Sequence, residues 1–261
     1  HALHDPRHAA AAEASLLACA DAVRQRMGIA VEVEVTRGGV TRETARADRS
    51  PHLLVLPARQ GNTLRERIAG TSTERLVRAS RIPVLVVRPP LSRVQDSTLQ
   101  PPPRKDLYQR VLACVDLGPE ASGIIAAAAG LSADPRMEVF HSLAPQPRTG
   151  VADLAPGTAV ERARAQVQQW IVQAGASGQG AMAAVGFGHA GPCAVAKGRA
   201  VGAELLVLGR RHRPLLGDLV LGATLREALA RSDCDLMVVP PVPRTGASAL
   251  LPSPGPDPAA L

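Results

Sequence analysis

The sequence predicts an α/β protein built from two similar doubly wound units, and three observations carry that expectation: an internal repeat, short uninterrupted apolar runs, and helix-forming stretches between those runs. Leu53, Leu54, Val55 and Leu56 return as Leu205, Leu206, Val207 and Leu208. The same offset of 152 carries Arg59 to Arg211, Gly70 to Gly222, Ser80 to Ser232, Val86 and Val87 to Val238 and Val239, and Pro89 to Pro241. With Leu64 and Leu216 there are 11 identities over 38 positions without a gap, for which duplication of one unit is the economical explanation. The length of 261 residues also suits two domains of about 130 each.

Each copy reads as a buried strand (53–56, 205–208), a polar loop, a glycine, a helix and a second buried strand (84–87, 236–239). Apolar runs of four without alternation belong to parallel strands covered on both faces. Thr71 with Glu74, and Thr224 with Glu227, have the spacing of a capping box and mark the two helix starts. Upstream in the second half, 110–115 is a strand ending at Asp116, and the alanine-rich 121–131 is a helix. Residues 137–142 form the next strand, 160–174 a helix with Trp170 on its apolar side, and 181–185 a third strand. The second half thus holds five strands for a parallel sheet of order 3-2-1-4-5.

The first half has no copy of the first strand and helix, because His1, Ala2 and Leu3 best match His141, Ser142 and Leu143. Since the sequence also opens on His, the expectation is a unit short of about 35 residues, counted over 107–141. The domain reading is therefore 1–90 for a truncated first domain, 91–106 for a proline-bearing linker, 107–243 for a second domain, and 244–261 for a disordered proline-rich tail.

Composition excludes several functions. Aromatic residues are 2% of the chain, which leaves no stacking platform for single-stranded nucleic acid. The uncharged run 121–131 falls well short of the ~20 residues of a membrane helix. Cys19, Cys114, Cys193 and Cys234 are far apart, with neither a C-x-x-C pair nor a histidine at ligand spacing, so no disulfide framework or zinc site is encoded and a reducing cytoplasm fits best. The net charge of +7 is uneven: residues 1–90 hold 14 basic and 9 acidic side chains, and 91–261 hold 16 and 14. Seven arginines from Arg59 to Arg88 face only Glu66 and Glu74, and their ordinary meaning is a solvated helix face, with an acidic partner as the sharper one.

A strand ending in Asp, then strand-G-x-x-G-x9-G-[ST] leading into a helix, then a closing valine-rich strand, resembles the universal stress protein family in its tandem form. The resemblance covers all but the linker and tail. It implies two Rossmann-like domains of the adenine nucleotide α hydrolase-like type, facing each other through antiparallel pairing of 84–87 with 236–239. It also implies a cytoplasmic regulator of the stress response that is no enzyme. In ATP-binding members the Asp lies by the nucleoside, and the glycine loop holds phosphates through backbone amides at a helix N-terminus.

Carried over, the second half keeps Asp116, Gly209 and Gly222 but has His212 at the second glycine and Ala223 at the hydroxyl position. Arg210, Arg211 and Arg213 flank His212 and could meet phosphates through their side chains. The first half keeps Gly70 and Thr71 but has Pro57 and Gln60 at the earlier glycines. The cofactor implied is ATP or AMP, with nucleotide-associated magnesium as the only metal. One alternative is a scaffold that binds no nucleotide and acts through a protein partner.

Another is an NADP- or nucleotide-dependent enzyme, since Gly186, Gly188 and Gly191 match G-x-G-x-x-G. Against it, Pro192 follows at once, and the strand 205–208 ends in Gly209 and Arg210 with no acid for a ribose. His141, His189 and His212 fall near strand ends, but no acidic partner or hydrolase motif supports a metal or catalytic role. No catalytic residue is assigned.

Overall fold

A computed structural model describes residues 6–34, 52–58, 72–88, 108–132, 137–144, 156–176, 180–210 and 221–241. The first half supplies helix α1 (Pro6–Met27), strand β1 (Leu54–Pro57), helix α2 (Ser72–Ala79) and strand β2 (Val84–Val87). The second half supplies β3 (Val111–Cys114), α3 (Ala121–Ala129), β4 (Glu138–Leu143), α4 (Pro156–Gln173), β5 (Met182–Phe187), α5 (Ala190–Ala200), β6 (Leu205–Gly209), α6 (Ala223–Arg231) and β7 (Asp235–Val239).

All seven strands form one sheet in the order β1-β2-β7-β6-β3-β4-β5. Every neighbouring pair is parallel except β2 with β7. Counted within the second half, the order is 3-2-1-4-5. The antiparallel pairing of 84–87 with 236–239 that the resemblance implied joins the halves in one continuous sheet, to which the described part of the first half adds two strands. Residues 28–34, the offset copy of β5, join no ladder.

Alternation along the strands divides the core in two. On one face Val111, Ala113, Val139, Leu205 and Val207 pack with Ile124 and Ile125 of α3 and Val167 and Ile171 of α4. On the other, Leu112, Leu206, Leu236 and Val238 pack with Leu225 and Ala228 of α6, and Val84 and Val86 with Leu76 and Val77 of α2. Helix α3 buries Ala121, Ile124, Ile125 and Ala128, a stripe at helical spacing.

The seam between the halves pairs Val84 with Val238, Leu85 with Met237 and Val86 with Leu236. Leu85 and Met237 are themselves related by the offset of 152, so the pseudo-twofold passes between them. Asp235, 5% exposed, pins one end of the seam. Its Oδ1 accepts the Arg88 amide at 2.8 Å, and its Oδ2 accepts the Tyr108 hydroxyl at 2.8 Å.

The capping-box expectation for Thr224 and Glu227 is corrected. Helix α6 starts at Ala223 with Gly222 as its N-cap and no side-chain cap, which places Thr224 inside the first turn. Glu227 instead pairs with Arg231 at 3.2 Å, one turn on. Thr71 lies outside the described residues, as do 91–107 and 242–261, on which the linker and tail expectations fall.

Candidate functional site

Strand β3 sits at the centre of the second half, between β4 and β6. Its following helix, α3, packs on one face of the sheet, and α6, which follows β6, packs on the other. The two connections therefore diverge at the carboxyl ends of β3 and β6, and such a divergence opens a crevice at the sheet edge. A cavity of about 280 Å³ lies there, walled by Ile124, Phe140 and Leu208 and rimmed by Asp116, Glu120, His141, Arg210 and Gly222.

Each polar group is positioned locally. The Asp116 Oδ1 accepts the Gly118 amide at 3.1 Å, a turn that fixes the carboxylate just past β3. His141 Nδ1 lies 2.9 Å from the Val115 carbonyl. A carbonyl only accepts, so Nδ1 carries the proton. Ser142 Oγ donates to the Gly188 carbonyl at 2.9 Å and ties the end of β4 to the turn after β5. Burial pushes the Cys114 thiol well above its ordinary range, which keeps it neutral at the cavity floor.

Of the residues singled out in the sequence, Asp116, Gly209, Arg210, Gly222 and Ala223 all border this cavity. Arg211, His212 and Arg213 lie outside the described residues. A Cβ on Gly209 would come within 2.4 Å of Ile124 Cδ1, so any larger residue there would have to displace the Ile124 side chain of α3. Among the described residues a Cβ on Gly222 would meet nothing within 4 Å, and no described side chain caps the start of α6. Arg210 borders the cavity, yet its Nη1 donates to the Arg78 carbonyl and its Nη2 to the Ser80 carbonyl at 2.8 Å, both in the first half. Glu120 and Phe140 escaped the sequence reading. Glu120 precedes α3 four residues after Asp116, a spacing that would have found it.

In the first half Thr73, 6% exposed, donates to the Pro57 carbonyl at 3.3 Å and joins the start of α2 to the end of β1. Gln60, Gly70 and Thr71 lie outside the described residues.

The glycines of the G-x-G-x-x-G match are accounted for by packing. A Cβ on Gly186 would strike the Phe140 ring at 2.8 Å, and one on Gly191 would meet Glu227 Cβ at 2.9 Å and Thr224 Cα at 3.2 Å. Gly188 has φ +133°, which L side chains rarely adopt. A larger cavity of about 410 Å³ opens at the opposite, amino edge of β3, β6 and β7. Its charges answer one another: Arg199 pairs with Asp233 at 2.6 Å, Arg110 with Glu204 at 3.7 Å, and Arg88 donates to the carbonyls of Ala228 and Leu229. Among the described residues no group of three or more His, Cys, Asp or Glu is placed to hold a metal ion.

Residues 2–88 and 107–240 match the sequence model of the universal stress protein family. The fold is similar to that of a universal stress protein from Archaeoglobus fulgidus, with 18% identity, a TM-score of 0.62, and 88% of this chain and 76% of that one covered. A functionally unknown protein from Pseudomonas aeruginosa PAO1 is similar at 20% identity and a TM-score of 0.60, over 87% of this chain and 77% of its own. No curated protein matches the sequence.

Proposed function

The chain belongs to the universal stress protein family, and from that premise we propose that it is a stress-response regulator whose second half senses an adenine nucleoside or nucleotide without turning it over. One observation carries the reading: at the switch point of the sheet, the Asp116 carboxylate and the start of α6 at Gly222, which no described side chain caps, border the same cavity. A carboxylate there can accept a bond from a ribose hydroxyl or an exocyclic amine, and the apolar walls of Ile124, Phe140 and Leu208 can enclose a flat base. The start of α6 can offer its first amides to an anion.

Residues 1–90 and 107–243 act in this reading as two units of a tandem pseudo-dimer, with the ligand in the second alone. In the first, the Thr73 hydroxyl is spent on the Pro57 carbonyl. Supporting a cytoplasmic setting, the four cysteines are free, and no described helix is long and apolar enough to cross a membrane. No step of bond-making is assigned to any residue in this reading. Any magnesium would arrive with the nucleotide.

Calorimetric titration of adenosine, AMP and ATP into the full chain tests this. The expected outcome is about one site per chain for at least one of the three, weakened tenfold or more in Asp116→Ala by loss of a charged acceptor. No heat from any of them at millimolar concentration removes the sensor reading and leaves the scaffold.

A further inference from the structure

Arg210 belongs to two places at once. Its backbone extends the sheet, with its amide donating to the Val239 carbonyl at 2.8 Å, and its side chain borders the carboxyl-edge cavity. The guanidinium, however, serves the other half, donating to the Arg78 and Ser80 carbonyls where α2 ends. The last carbonyls of a helix lack intrahelical donors and lie at the negative end of its dipole, so a planar two-pronged cation fits them well.

A related contact holds on the opposite side of the seam. Arg88, just past β2 in the first half, donates to the Ala228 and Leu229 carbonyls near the end of α6. The two arginines are not copies of each other. The offset of 152 sets Ala58 against Arg210 and Pro240 against Arg88. Each half thus sends an arginine from beyond a strand to carbonyls near the end of a helix in the other half, which ties the Arg210 side chain to the junction.

We propose that Arg210 is a latch between the two halves, and that by holding the guanidinium there the fold makes the cavity prefer an uncharged purine nucleoside to its phosphates. The selectivity half of this rests on the sensor reading above. A phosphate that draws in the guanidinium must break two charge-assisted bonds to α2, so its gain is offset by their loss. On the remaining described rim a phosphate at the start of α6 would find the helix amides and the Thr224 hydroxyl, but it would face the carboxylates of Asp116 and Glu120. A nucleoside needs only the apolar walls and the Asp116 acceptor, which the latch leaves in place.

The experiment pairs two readouts on the full chain, Arg210→Ala and Arg210→Lys. Affinities for adenosine and for ATP without added metal are measured by calorimetry, and amide hydrogen exchange over residues 72–82 is followed without ligand. The expected result is adenosine bound about tenfold or more tightly than ATP by the parent chain, with adenosine affinity changed less than about threefold in either variant. Exchange over 72–82 should rise about tenfold in the alanine variant and less in the lysine variant, which keeps the charge but serves one carbonyl where the fork serves two.

ATP binding tighter than adenosine in the parent overturns the selectivity. A tenfold loss of ATP affinity in Arg210→Ala with unchanged exchange makes Arg210 a phosphate ligand and overturns the latch. If neither ligand binds the parent, the sensor reading and the selectivity fall together, and the exchange rates alone decide the latch. Should the alanine variant fold too poorly to bind, the lysine variant supplies both readouts.

Discussion

Cys114 and Cys19 show how differently one residue type behaves in two places. Cys19 is exposed on α1, whereas Cys114 ends β3 with its thiol buried and its ionisation pushed upward by desolvation. Burial raises the Cys234 ionisation as well. Thiolate is the reactive form, so at pH 8 iodoacetamide should label Cys19 first and reach Cys114 and Cys234 only after urea unfolding. Mass spectrometry of partly alkylated protein reads this directly, and early labelling of Cys114 would show that β3 is not sealed. The linkage has a definite sign. An acid whose folded pKa lies above its unfolded value stabilises the fold below the unfolded pKa, so stability should decline as pH rises past about 8.5, where unfolded thiols ionise.

Legibility at this scale followed chemistry that is local in sequence. Asp116 stood out as a charged residue directly after an apolar strand, and it does border the cavity. Gly209 also stood out, but its sequence context did not reveal that the constraint comes from Ile124, 85 positions away and lying above it. Arg210 was visible only as one of a basic run. Its engagement with Arg78 and Ser80 depends on a seam that no local pattern encodes.

Among elements, the strands were the readable part because both faces are covered and their apolar runs are unbroken. Helix starts were less so. The Thr224 and Glu227 spacing satisfied a capping rule, yet α6 begins earlier, at Ala223, because Gly222 takes the extended N-cap conformation with φ −59° and ψ 150°. Helices α5 and α6 meet at Gly191, where a Cβ would lie 3.2 Å from the Thr224 backbone. Gly191→Ala should therefore force the helices apart and cost about 1–3 kcal/mol in urea denaturation. Gly123 gives the opposite outcome. It lies within α3 with nothing within 4 Å of a Cβ, so Gly123→Ala should gain about 0.5–1 kcal/mol from helix propensity alone. If both changes destabilise equally, the packing account of Gly191 fails.

At the scale of the whole molecule, the question is whether the first half stands by itself. Its described strands are β1 and β2, and a pair of parallel strands draws its stability from the sheet it extends. They persist because β2 adds to β7, with Leu85 and Met237 paired on the pseudo-twofold and Val84 and Val86 sharing a core with Leu236 and Val238. Unfolding should then be one transition for the described fold. Trp170, the single tryptophan, lies in α4 against the second-half core and reports on that half. Leu85→Ala removes a side chain 9% exposed in the first half and should cost about 2–4 kcal/mol. Because the sheet is continuous, that loss should lower the urea midpoint seen by Trp170 fluorescence, although residue 85 belongs to the other copy. An unmoved Trp170 midpoint, with early exchange of the amides in 84–87, would mean that β2 peels away first and that the seam joins two separately stable bodies. In that case an Arg210 latch could open without cost to the second half. In the cooperative case every loss at the seam is felt at the cavity, and this coupling is what would let a ligand bound by the second half alter the surface presented by the first.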